Sequence, residues 1–197
     1  MRIGIDLDNT IINYDNAFLA AAKIRGLIAA DFTGGKQALR DHIRTLQGGE
    51  TQWQKLQGYV YGKGIDAATL FDGVEQFVSR AQSQGCELFI VSHKTLYGHF
   101  DDDKINLREA ALGFLASKQL PIPHQNMYFE TTRSEKVSKL ATLSLNWFID
   151  DLVEVYEETH FPTDCKRVLF HAATSPAPQG SWMACNSWEA IERTILK

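Results

Sequence analysis

The stretch Ile3-Gly4-Ile5-Asp6-Leu7-Asp8-Asn9-Thr10 decides how this chain is read. Its short Ile-rich opening has the character of a buried strand, and it ends abruptly in acid. If the extended geometry persists through Asp8, the two carboxylates project to the same side. At the carboxyl end of a parallel strand they overhang the crevice in which open α/β sheets bind ligands. Carboxylates this close repel one another unless a cation or a shared proton lies between them. An Asp-x-Asp can also do no more than end a strand and begin a turn. The other acidic run, Asp101-Asp102-Asp103, follows no apolar strand and reads as a solvated loop or helix start.

Further along, the pattern repeats at strand ends. Glu87 to Ser92 (ELFIVS) is a second buried strand, Met127 to Phe129 a third, Trp147 to Ile149 a fourth and Arg167 to Phe170 a fifth. Helices alternate with them. One runs from Val74 through Ala81 and is capped at Gly85, and a second covers 106–118. A third opens with the capping-box pair Thr132 and Glu135, and the last is striped by Trp188, Ile191 and Ile195. Such alternation predicts an α/β fold, a Rossmann-like three-layer α/β/α domain on a parallel sheet. Residues 15–72 differ. Stripes such as Leu39, Ile43 and Leu46, or Trp53, Leu56 and Val60, sit between Gly34-Gly35 and Gly48-Gly49, with no evident strand. They read as a small helical insertion after the first strand, so the expected division is 1–14 with 73–197 as the core and 15–72 as a cap.

The whole chain sets few further bounds. With 197 residues, 44% hydrophobic, 22% charged and a net charge of −4, it has an ordinary globular composition without the electrostatic footprint of a nucleic-acid or anionic-membrane binder. Cys86, Cys165 and Cys185 are far apart and lack zinc or disulfide spacing. No leader pattern and no apolar run of membrane-spanning length is present, and a reducing cytoplasm is the expected setting. His99, His124, His160 and His171 show no ligand spacing.

Polar groups therefore end three strands: Asp6 with Asp8, Ser92, and Asp150 with Asp151. In a parallel sheet these ends lie on one edge, where residues distant in sequence converge. Their order and spacing resemble the haloacid dehalogenase superfamily in its phosphatase branch. The first motif of that family, Asp-x-Asp-x-Thr/Val, is matched by Asp6-Leu7-Asp8-Asn9-Thr10, and the second, a strand-ending Ser or Thr, by Ser92. The third, a lysine opening a helix, has Lys136 as its candidate, and the fourth, an acidic pair ending a strand, is matched by Asp150-Asp151. Lys139 is the competing lysine. On a helix striped by Val137, Leu140 and Ala141 it falls opposite the stripe and faces water, whereas Lys136 flanks the stripe in the first turn or so. Receiver domains combine similar residues but carry their acidic pair on the first strand.

The resemblance implies a phosphatase hydrolysing a small phosphate monoester through an aspartyl-phosphate intermediate. Asp6 would be its nucleophile and Asp8 its general acid and base. It implies phosphate contacts from Asp6, Ser92, His93 and Lys136, and Mg²⁺ held by Asp6, the main-chain carbonyl of Asp8, Asp150 and Asp151. Contact with substrate and simple solvent exposure are equally open for His93 and Lys94. The basic side of the second insertion helix (Lys36, Arg40, His42, Arg44) reads mainly as a solvated face, and Trp53 as core. The expected partner is a small phosphorylated metabolite, with no nucleic acid favoured and no membrane. The alternatives are a nucleotide or nucleic-acid-end phosphatase and a non-catalytic ligand-binding relative.

Overall fold

The computed structural model describes residues 1–101, 103–172 and 175–196; Asp102, in the middle of the acidic run, lies outside the described residues. The strands are β1 (Arg2–Ile5), β2 (Ile12–Asn13), β3 (Thr69–Leu70), β4 (Glu87–His93), β5 (Met127–Glu130), β6 (Trp147–Asp150), β7 (Lys166–Phe170) and β8 (Met183–Cys185). The helices are α1 (Asp15–Ile24), α2 (Lys36–Thr45), α3 (Gly49–Tyr61), α4 (Val74–Ser83), α5 (Leu107–Ser117), α6 (Arg133–Leu143), α7 (Val153–Tyr156) and α8 (Trp188–Ile195). They make two compact units. One comprises Met1–Ile12, Leu70–Lys94 and Leu120–Lys197; the other comprises Asn13–Thr69 and Thr95–Gln119.

In the first unit a parallel sheet runs in the order β5-β4-β1-β6-β7-β8. This is the α/β, Rossmann-like architecture the alternation predicts. From β1 the chain adds β4 and β5 on one side, then returns to add β6, β7 and β8 on the other. That reversal leaves a crevice beyond the carboxyl ends of β1 and β6, the usual ligand position in doubly wound sheets. Side chains alternate across the sheet. Phe89 and Val91 of β4, Phe148 of β6 and Leu169 of β7 join Val137 and Leu140 of α6 and Tyr156 of α7 in one cluster. Phe77 of α4 and Phe170 of β7 pack on Trp188 of α8, with ring centroids 5.0 and 5.9 Å away. Gly4 is the close-approach point of β1. A methyl group there would lie 2.4 Å from Leu145 Cδ1 and 2.9 Å from Phe148 Cδ2, both side chains of the buried cluster. The α4 terminus bears out Gly85: φ is +72°, and the N–H groups of Gly85 and Cys86 donate to the carbonyls of Gln82 and Ala81 at 2.8 and 2.9 Å, a Schellman arrangement.

The second unit holds α1, α2, α3 and α5. Phe18 stacks on Trp53 at 5.1 Å and meets Tyr61 edge-on at 5.6 Å, so Trp53 is core as the periodicity implies. Two features depart from the sequence expectation. Residues 95–119 cluster with 13–69 instead of with the sheet. The reason is visible at Gly58 of α3 and Gly98, where a Cβ built on Gly98 would lie 2.6 Å from the Gly58 Cα. Two glycines let these backbones approach, and α5 packs on α3. Thr69–Leu70 is also a strand, paired with β2, in a stretch expected to hold none. β8, between the fifth expected strand and the last helix, and the four-residue α7 are too short to show a period. No helix among the described residues is long and apolar enough to cross a membrane.

Candidate active site

Asp6 stands one residue past β1, and its N–H donates to the carbonyl of Ile149 at 2.8 Å, which prolongs the pairing with β6. Asp150 ends β6 and is fully buried; its Oδ1 accepts from the N–H of Leu152 at 2.9 Å. The sheet register thus sets Asp6 beside Asp150 in the crevice. Carboxylate oxygens of Asp6, Asp150 and the half-buried Asp151 all lie within 4.8 Å of one another.

Lys136 closes this cluster from α6. The capping box forms as the sequence indicates: the Glu135 N–H donates to Thr132 Oγ1 at 3.1 Å, and the Thr132 N–H to Glu135 Oε2 at 2.9 Å. With Val137 and Leu140 in the core, the helix phase turns Lys136 inward. Its Nζ donates to Asp6 Oδ1 at 2.5 Å and to Asp150 Oδ2 at 2.6 Å, and the residue is 1% exposed. Lys139 stays partly exposed, 3.9 Å from Glu130. Lys136 therefore lies on the buried side of α6 and Lys139 on its solvent side.

Electrically the cluster is unbalanced. Two buried carboxylates, Asp6 and Asp150, share the Lys136 ammonium, with Asp151 close by, and buried charge without a partner is costly. Burial, reinforced by Asp150 and Asp8 and opposed by Lys136, pushes the Asp6 carboxyl up to about 7. Burial pulls the Lys136 ammonium down, but Asp150 and then Asp6 outweigh it and hold it above the ordinary lysine value. The excess acid calls for a proton or a cation, and three carboxylates form the hard oxygen donor set that suits Mg²⁺.

Ser92, next to last in β4, is 1% exposed, and its Oγ has no hydrogen-bond partner among the described residues; the same is true of the fully buried Thr10 Oγ1. A buried hydroxyl left without a partner is unusual and fits one reserved for a ligand oxygen. The next two residues lie in opposite environments. His93 is exposed, and no hydrogen bond or ion pair ties it to the acidic cluster among the described residues. Lys94, left open between substrate contact and solvent, is 3% exposed, and its Nζ donates to both carboxylate oxygens of Asp8, at 3.0 and 2.7 Å. Extended geometry carried one residue beyond β4 explains the split: Ser92 and Lys94 share a face, and His93 points away from it.

A doubly wound sheet with acids on its two central strand ends defines a class of fold, and comparison with known structures gives that class a name. No family model matches the chain, and no curated protein matches it. Solved structures do. A haloacid dehalogenase-like protein of Streptococcus pneumoniae aligns over 98% of this chain and 97% of its own, with TM-score 0.61 and 18% identity. A Bacillus subtilis haloacid dehalogenase-like hydrolase in a magnesium-bound form aligns over 100% and 98%, with TM-score 0.66 and 13% identity. A phosphoserine phosphohydrolase-like protein of Francisella tularensis aligns over 99% of each chain, with TM-score 0.58 and 14% identity. The fold is that of the haloacid dehalogenase-like hydrolases.

Proposed function

We propose that this protein is a Mg²⁺-dependent phosphatase acting on a small phosphate monoester through an aspartyl-phosphate intermediate. The observation that carries the reading is the buried Asp6–Lys136–Asp150 bridge at the crevice of the sheet. The unpartnered Ser92 hydroxyl supports it. A carboxylate can attack phosphorus and form a mixed anhydride, which splits one difficult displacement into two. Asp6 is the nucleophile. It is held by the main chain of Ile149 and by Lys136, so little reorganisation precedes attack. Lys136 keeps its proton throughout and offers a fixed positive charge where phosphoryl charge develops. Ser92 donates its hydroxyl proton to a phosphoryl oxygen. Asp8 hands a proton to the departing alkoxide and afterwards takes one from the water that cleaves the phosphoenzyme.

Asp6, Asp150 and Asp151, with the main-chain carbonyl of Asp8, are the residues that would hold Mg²⁺. When bound, the ion neutralises charge on the carboxylates and on the phosphoryl oxygens. The Bacillus subtilis structure of the same fold is a magnesium-bound form, which supports Mg²⁺ as the ion. The favoured substrate is a small phosphorylated metabolite, in a cytoplasmic setting. The test is hydrolysis of p-nitrophenyl phosphate by pure protein, with Mg²⁺ and with excess chelator, followed by a panel of phosphorylated metabolites. Metal-dependent release is expected. No release under either condition, from folded protein, would contradict the reading.

A further inference from the structure

The mechanism above asks Asp8 for two tasks in sequence, and both depend on where its carboxylate points. A side chain with two free torsions performs them only if something fixes it. Asp8 lies in a turn beyond β1: the Asn9 N–H donates to the Ile12 carbonyl at 2.9 Å, and Asn9 has φ of +61°. Such a turn orients the backbone of Asp8 but not its side chain. The Lys94 ammonium holds both carboxylate oxygens at once, at 3.0 and 2.7 Å. Lys94 is itself rigidly mounted. Its N–H donates to the Glu130 carbonyl at 2.9 Å, one step past the β4–β5 pairing, and its side chain is 3% exposed. Stability alone is a poor reason for such a pair, because a buried ion pair commonly contributes no more than well-packed apolar residues of similar size.

We propose that Lys94 is a positioning residue for Asp8, acting by clamping the acid/base carboxylate in the orientation that serves both proton transfers. This rests on the assignment of Asp8 as general acid and base given above. Lys94 is distinguished from Lys136 by its target: Lys136 serves the nucleophile and the buried acids, and Lys94 the residue that moves protons.

The test uses four forms of the full chain: wild type, Lys94→Met, Asp8→Asn, and Asp8→Asn combined with Lys94→Met. Each is given an alkyl phosphate and p-nitrophenyl phosphate, and thermal midpoints are recorded. The combined variant removes both charges of the pair together, so neither is left facing the vacated position of the other. Lys94→Met is expected to lower kcat for the alkyl ester by at least about tenfold, because an alkoxide needs a well-aimed acid. Phosphoenzyme formation from the aryl ester should fall by less than about threefold, and KM should stay within about twofold. In the Asp8→Asn background the Lys94 substitution should cost nothing further, since partners acting as one unit are not additive. A full additional loss in that background would overturn the proposal by showing that Lys94 acts on substrate directly. Equal losses with both esters together with a lowered midpoint would also overturn it, in favour of a merely structural role. An active wild type indistinguishable from Lys94→Met would remove the Lys94 assignment alone, whereas a folded wild type inactive on both esters would remove the phosphatase reading and this inference with it.

Discussion

Two buried lysines hold aspartates in the sheet unit, and the arithmetic around them differs. The Lys94–Asp8 ion pair matches one ammonium with one carboxylate, and the Asp8 side chain is 18% exposed. Lys136 faces two, Asp6 and Asp150, whose side chains are 7% and 0% exposed, with Asp151 close by. A balanced pair needs no further ion and can serve to aim a side chain. An unbalanced cluster holds negative charge in reserve, and something must neutralise it: a proton, a metal ion or, during turnover, neither for long. The difference separates a site built to bind cation and phosphate from a site built to hold one acid in place.

The largest effect should come from the unbalanced cluster itself. Asp6→Asn removes the nucleophile and should lower turnover by at least about a thousandfold with every ester, measured by steady-state kinetics. Lys136→Ala comes next. Loss of a preorganised cation should reduce kcat/KM by at least about tenfold. By leaving two buried acids unpaired it should also destabilise the fold by about 3–5 kcal/mol, read from denaturant unfolding in the absence of metal. The comparison predicts a smaller thermal penalty for Lys94→Met, since the acid it abandons is partly solvated. Equal penalties would break the distinction.

Acid excess also has a pH signature. Asp6 is raised from 3.8 to about 7 in the fold, so the native state binds this proton more tightly than the unfolded chain does. Its contribution to stability is therefore complete below about pH 4 and is lost as pH rises through 7. Metal-free protein should melt at a lower temperature at pH 8 than at pH 6, and saturating Mg²⁺ should raise the midpoint more at pH 8, because the cation takes the place of the proton. A midpoint that rises steadily with pH without metal would contradict the charge imbalance.

Smaller effects check the scaffold beneath the cluster. Gly4→Ala forces a methyl group against Leu145 and Phe148, and should cost about 1–3 kcal/mol through overpacking, with activity retained in the folded fraction. Lys139→Ala should change stability by no more than about 0.5 kcal/mol and leave activity near wild type. A loss there comparable to that of Lys136→Ala would mean the helix phase is misread.

The unbalanced cluster was legible in the sequence and the balanced pair was not. Asp6, Ser92, Asp150 and Asp151 each end an apolar run, and strand ends on one side of a parallel sheet converge whatever their separation in sequence. Lys136 followed from helix phase. Lys94 lies past the apolar run, where nothing in the sequence shows how far extended geometry persists. One more hydrogen bond, from its N–H to Glu130, keeps Lys94 in register with Ser92 and turns it inward. The same limit applied to α5. Its stripe of Leu107, Ala111 and Phe114 states that one face is buried, but not against what, and the partner was set by the Gly58 and Gly98 approach. The strands of two or three residues, β2, β3 and β8, and the single helical turn α7 carry too little pattern to be seen.

The central claim is the division of labour between Asp6 and Asp8, and trapping the covalent intermediate tests it most directly. Wild type, Asp6→Asn and Asp8→Asn are mixed with p-nitrophenyl phosphate and Mg²⁺, quenched rapidly, and mapped by mass spectrometry. Phenolate leaves without much help from an acid, so Asp8→Asn should still phosphorylate Asp6. Lacking the base for hydrolysis, it should accumulate a phosphoenzyme that the wild type does not. Asp6→Asn should form none. Phosphate found on the Asp6→Asn variant, or on any residue other than Asp6 in the Asp8→Asn variant, would contradict the account.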